Sequence, residues 1–142
     1  MAAARGTANV LQRLEKSVGD GNYYEAHQMY RTVANRYVHA HNYKDAIKLL
    51  HSGALLLLKH KQAGSGTDLA LYFIEVYNLG KVPVTEESRD RIFDLIDLMT
   101  PENGQRRQFL QNAISWSTNN SNSNNENGDP LLQHYVGLLF WK

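Results

Sequence analysis

The sequence predicts an all-α protein, an α-solenoid of about seven helices stacked as antiparallel hairpins, and three observations lead there. Apolar residues recur at helical spacing along most of the chain, and no segment alternates with the period of two that a strand requires. Segments of about 15 to 20 residues are joined by short links, the pattern of neighbouring antiparallel helices. The stretches "NYYEAHQMY" (Asn22 to Tyr30) and "NYKDAIKLL" (Asn42 to Leu50) open alike, twenty residues apart, with Asn-Tyr, any residue, an acid and Ala. Twenty is one helix with its link, whereas a tetratricopeptide pair repeats at roughly 34, so the copies start consecutive helices and the likeness to that repeat is architectural. In this opening the Asn serves as cap, the Tyr is expected to pack on the preceding turn, and the Ala admits a neighbouring helix.

The first helix turns Val10, Leu11, Leu14 and Val18 inward and Asn9, Arg13, Lys16 and Asp20 outward, ending at Gly19 and Gly21. The second runs from Asn22 to about Ala40. Taking 100° per residue, Ala26, Met29, Tyr30, Val33 and Tyr37 form one stripe, and Tyr24, Gln28, Arg31, Asn35 and His39 the opposite one. The third, Asn42 to about Lys61, buries Ala46, Ile47, Leu50, Ala54 and Leu57, with Lys44, Lys48 and His51 on another face. In "GSGTD" two glycines break the chain and Thr67 is expected to cap a fourth helix, with Asp68 in its first turn where an anion suits the helix dipole. That helix runs to about Leu79. After "GKVPV", Thr85 caps a fifth helix with Glu86 and Glu87 in its first turn and Ile92, Leu95, Ile96 and Met99 inward. Thr100-Pro101 is expected to start the sixth, whose apolar face is Phe109, Leu110, Ala113, Ile114 and Trp116. Residues 117–128, "STNNSNSNNENG", have nothing to bury and read as a flexible loop, and Asp129-Pro130 caps a seventh helix.

With 142 residues, 42% of them hydrophobic, the whole chain 1–142 reads as one domain with a real core. The absence of Cys excludes a disulfide framework and a thiolate metal site, and points to a cytoplasmic protein. The N-terminus has no apolar leader core, and apolar runs such as Ala54 to Leu58 are far short of the roughly 20 residues that span a bilayer, so neither secretion nor membrane insertion is expected. The sequon at Asn119 is accordingly expected to go unused. Net charge is +1, but residues 1–62 carry nine Lys or Arg against four acids and residues 63–142 carry six against ten, giving +5 and −4. Such polarity bears on the choice of a charged partner. The apolar "PLLQHYVGLLFWK" at the end is expected to continue into a longer solenoid, or to be covered by another chain.

The strings "GNYYEAHQMYRTVANRY", "SGALLLLKHKQAGSGTDLALYFIEVY" and "DPLLQHYVGLLFWK" resemble the N-terminal half of the Golgi-to-ER traffic protein four family, α-solenoid adaptors of the guided-entry pathway for tail-anchored membrane proteins. The likeness covers about Val10 to Lys142. It implies an adaptor that docks on a dimeric targeting ATPase and regulates its ATP hydrolysis, helping to hand tail-anchored clients on for insertion at the ER. It implies also a C-terminal half, missing here, that holds a ubiquitin-like-domain subunit. The family's contact lies on the first two helices, where the basic half was found; carried over, it falls on Arg13, Lys16, Tyr24, Arg31 and His39, with Asp68 resembling an acid that touches the ATPase near its nucleotide site. His39 departs from the pattern, standing where a permanent cation is expected.

No catalytic constellation is present: Gly64-x-Gly66 and Gly19-x-Gly21 follow no strand and lack the further glycines of a phosphate loop, and no carboxylate pair stands apart from the helix faces, so neither an enzyme nor a cofactor is expected. His39-x-His41 is no metal pair, because residues two apart on a helix do not face each other. The alternative is an RNA-binding helical repeat, drawn from the basic half and from Tyr23, Tyr24, Tyr30, Tyr37 and Tyr43. Most of those Tyr lie on inward stripes, and a balanced net charge is unlike a nucleic-acid footprint.

Overall fold

The computed structural model describes residues 2–120, which form α1 (Ala2–Gly19), α2 (Tyr23–His39), α3 (Tyr43–Lys59), α4 (Ala63–Leu79), α5 (Glu86–Leu98) and α6 (Arg106–Asn120). Residues 121–128 of the expected loop, the seventh helix and the apolar "PLLQHYVGLLFWK" lie outside the described residues. Packing follows two rules: α1 packs on α2, α2 on α3, α3 on α4 and α5 on α6, and each helix touches the one after next, so α1, α3 and α5 form one layer and α2, α4 and α6 the other. That is the two-layer solenoid expected from the helical periodicity.

The twenty-residue period runs further than the two quoted openings. α2, α3 and α4 are each 17 residues long. Each of α1 to α4 ends on a residue with positive φ: Gly21 (86°), His41 (58°), Lys61 (63°) and Lys81 (49°). At each end the next amide donates five residues back, from Asn22 to Ser17, Asn42 to Tyr37, Gln62 to Leu57 and Val82 to Tyr77, at 2.7–3.0 Å. These are four copies of one left-handed helix stop, which closes the free carbonyls of the last turn. Only the first uses glycine, and a side chain in this region costs about 1–2 kcal/mol. Lys61→Gly and Lys81→Gly are therefore expected to raise stability by about 0.5–1 kcal/mol each, part of the relief being offset by the freer unfolded chain. Urea denaturation reads this directly, and an unchanged midpoint would contradict it.

The repeated opening does a repeated job, with a different partner from the one expected. The Tyr23 ring lies 5.8 Å from His60, and Tyr43 sits where a Cβ on Gly80 would come within 3.1 Å of it. Each Tyr thus covers a helix end 37 residues ahead rather than the preceding turn. Ala26 and Ala46 are buried as expected. Asn42 accepts from the Asp45 amide at 3.3 Å, but Asn22 makes no side-chain cap. Close approach is completed by Gly53, where a Cβ would fall 2.7 Å from the Tyr30 ring, and by Gly66, where it would fall 2.7 Å from Leu58.

Gly66 also explains a displaced boundary. α4 starts at Ala63 and not at Thr67, so the two glycines lie within its first turns instead of breaking the chain. The left-handed residue at Lys61 has already made the turn, and the packing of Gly66 on Leu58 offsets the roughly 1 kcal/mol that a helical glycine costs. Thr67 is no cap: it is buried and accepts from Asn103 Nδ2 at 2.6 Å. Thr85 does cap α5, in a reciprocal box with Ser88. Thr100-Pro101 opens a turn rather than a helix, closed by the Asn103 amide on the Thr100 carbonyl, and α6 begins at Arg106. Residues 117–120 continue α6 instead of starting the loop, because Ser117 is buried and Ser117 and Thr118 donate back to the Ile114 carbonyl. Met29, expected inward, is 50% exposed at the edge of the contact between α1 and α2.

His51 is a further correction. It is half-buried between layers, its ring 5.8 Å from Phe73 and its Nε2 3.5 Å from Asp94, rather than on an outer face with Lys44 and Lys48. Burial pulls the imidazole below its ordinary value of 6.5, only partly opposed by Asp94. The folded state then binds fewer protons than the unfolded chain, so stability is full above that value and falls as the pH drops through it. Wild type should lose stability relative to His51→Phe between about pH 7 and 5; parallel denaturation curves for the two would refute this.

Candidate functional site

Among the described residues one surface joins Arg31 to Asp68 and a second includes Arg13, while Lys16, Tyr24 and His39 stand outside both. On the first, α2 and α4 lie side by side in one layer and zip along a row. His27 Nε2 meets Asp68 Oδ2 at 2.6 Å, and Arg31 Nη1 meets the same oxygen at 2.9 Å. The Arg31 guanidinium also lies over the Tyr72 ring, 4.9 Å from its centre, and the Tyr72 hydroxyl donates to Asn35 Oδ1. Partial burial pushes the Asp68 carboxyl up, but hydrogen bonds from His27 and Arg31, with the charge of Arg31, outweigh it and hold the group below its ordinary value. A cleft of about 490 Å³ continues from Asp68 along α4 past Glu75 and Asn78, with Gln108 and Asn112 of α6 opposite.

The second surface is a groove of about 410 Å³ between α1 and α2, floored by Val10, Leu14 and Val33, with Met29 at its edge, and rimmed by Arg13, Glu25 and Arg36. Lys16 is exposed on α1 outside that groove. Tyr24 is 74% exposed, more than any other large apolar side chain among the described residues. His39 is exposed at the last position of α2.

Sequence reading placed Asp68 at the start of α4, away from the basic stripes of the first two helices. The structure joins it to Arg31 and to His27, so Arg31 does not offer a free positive charge and Asp68 is not a lone carboxylate. His27, Tyr72 and Asn35 were missed. The signal for them was the twenty-residue period, because in a two-layer stack residues about two periods apart become neighbours. The contacts step accordingly, from 27 to 68, 31 to 72 and 35 to 72.

Of the five Tyr that motivated an RNA reading, Tyr30 is buried with its ring against Gly53, and Tyr23, Tyr37 and Tyr43 are half-buried. Tyr24 alone presents a face, which is not a stacking platform. Among the described residues no group of three His, Asp or Glu could hold a metal ion, and His41 turns its Nδ1 to the Tyr43 hydroxyl at 3.0 Å. No helix of the described residues is long and apolar enough to cross a membrane.

The family model GET4, Golgi to ER traffic protein 4, matches residues 40–142. The chain is 39% identical over 137 residues to the Golgi to ER traffic protein 4 homolog B of Xenopus laevis, covering 96% of this chain and 41% of that protein. The Homo sapiens homolog is 36% identical over the same length, again with 96% and 41% covered. Among solved structures, the crystal structure of C. therm. Get4 matches with a TM-score of 0.89 at 30% identity, over 95% of this chain and 43% of that one. The chain therefore spans about two fifths of the curated relatives it matches.

Proposed function

The chain belongs to the Golgi to ER traffic protein 4 family, and from that premise we propose that it acts as an adaptor in the delivery of tail-anchored membrane proteins, docking through α1 and α2 on the dimeric targeting ATPase of that pathway and restraining its ATP hydrolysis. The observation that supports this best is the exposed pair Arg13 and Lys16 on α1, next to a groove with an apolar floor, with Tyr24 standing out on α2. Cations steer an acidic partner into place, and an exposed aromatic supplies area to desolvate at the centre of the contact. His39 adds to this face only when protonated. Arg31 acts at one remove, through Asp68, and Asp68 is the regulatory contact, reaching a cation near the nucleotide site of the ATPase. The remaining portion of the longer relatives holds the ubiquitin-like-domain subunit, and the adaptor works in the cytoplasm.

The test is retention of the purified ATPase by the immobilised chain, with and without nucleotide, beside an RNA of similar size. Retention of the ATPase that weakens with salt is expected. RNA binding without ATPase binding would overturn the reading.

A further inference from the structure

A carboxylate that regulates a partner must be held in one orientation and still offer a free acceptor, and Asp68 meets both conditions through its neighbours. Both donors converge on the same oxygen: His27 Nε2 at 2.6 Å and Arg31 Nη1 at 2.9 Å each meet Oδ2. Oδ1 receives no hydrogen bond from any described residue, and 39% of the Asp68 side chain remains exposed. A carboxylate held by a single donor can still swing its plane about that bond. Two donors on one oxygen, approaching from successive turns of α2, hold the plane, and Oδ1 is left without a partner among the described residues. The donors are themselves fixed. His27 is only 14% exposed and carries a short rigid ring, while Arg31 is braced on the Tyr72 ring and Tyr72 is bonded to Asn35.

We propose that His27 is a positioning residue, which together with Arg31 locks Asp68 by Oδ2 so that Oδ1 is a prepared acceptor for one basic side chain of the partner. The inference rests on the reading of Asp68 as a regulatory contact. It also defines the partner surface: a carboxylate only accepts, so the atom opposite Oδ1 is a donor, and a lysine or arginine gives the strongest such bond. The surface facing α1 and α2 is acidic by contrast. The matching partner is thus an acidic surface carrying a single cation placed opposite Asp68, and a basic surface or a nucleic acid does not fit.

The test compares wild type with Asp68→Asn, His27→Phe and His27→Gln, all checked for unchanged helical content and melting. The ATPase turnover is measured at saturating chain, and binding is measured separately. Asp68→Asn and His27→Phe are both expected to lose the restraint on turnover while affinity changes by less than about threefold, since one exposed carboxylate contributes little to total binding. His27→Gln keeps a donor at similar reach and is expected to recover most of the restraint. Carbon-detected titration of the Asp68 carboxyl supplies a readout that needs no partner: its midpoint should rise in His27→Phe and stay close to wild type in His27→Gln. If His27→Phe restrains turnover like wild type while Asp68→Asn does not, the positioning role is wrong and the regulatory contact stands. If Asp68→Asn itself restrains turnover like wild type, the regulatory reading falls and this inference falls with it.

Discussion

Trp116→Ala is expected to cost about 3–5 kcal/mol, the largest stability loss that a single substitution in the described residues should produce. Trp116 is completely buried in α6, its ring 4.8 Å from Tyr77, which in turn lies 4.3 Å from Phe73, so one aromatic column ties α6 to the middle of α4. Its indole N–H donates to the Val82 carbonyl at 3.0 Å, fixing the link that follows the fourth left-handed turn. Truncation would open a cavity, leave that carbonyl unpaired and loosen the far end of the stack. A domain of this size is stable by about 5–15 kcal/mol, so a large share would be lost. Trp116→Phe keeps the column and forfeits the hydrogen bond, and about 1–2 kcal/mol is expected there. Urea denaturation of both variants checks the pair; equal midpoints for the Ala and Phe forms would show that the column carries little.

Arg13→Glu combined with Lys16→Glu should have the largest functional effect, an association with the ATPase slowed at least about tenfold at low salt with helical content unchanged. Both side chains are exposed, so the fold should tolerate the change to within about 0.5 kcal/mol. In the groove a glutamate at position 13 would share the rim with Glu25, turning its basic edge acidic. For wild type, raising ionic strength from about 0.05 M to 0.5 M shortens the screening length several-fold and should slow association far more than it speeds release. Surface-plasmon or stopped-flow rates distinguish the cases. Unchanged rates in the double reversal would make Arg13 and Lys16 ordinary solvated surface, and a rate indifferent to salt would shift the contact to the apolar floor and Tyr24.

Much of the fold was legible because helices announce themselves locally. The inward stripes of α3, α5 and α6 could be read from spacing alone, and the Thr85 cap was plain because the acids Glu86 and Glu87 follow it directly in the first turn. Boundaries failed where the stop was not written with glycine: Lys61 takes the turn that glycine would normally mark, so the visible glycines at 64 and 66 drew the break too late. Met29 failed differently, since the outward limit of a stripe depends on where the neighbouring helix crosses. Periodicity put Arg13, Lys16 and Tyr24 outward, as they are, and the family resemblance alone singled them out as contacts. The Asp68 cluster was not, because His27 and Asp68 are 41 residues apart and no local rule pairs them. Extending the period from two copies to four would have paired them.

The equal helices and identical stops leave almost no freedom in chain length between Asn22 and Gly80. One residue added inside α2 or α3 would rotate everything beyond it by about 100° and advance it by about 1.5 Å, which takes His27 and Arg31 out of step with Asp68 and the two opening Tyr out of step with the helix ends they cover. The links 81–85 and 99–105 follow no such rhythm. Naturally occurring length variation in chains of this kind should therefore gather in those two links and spare the three-helix ruler before them, where the addition of a residue alters the phase of the whole molecule rather than the size of a loop.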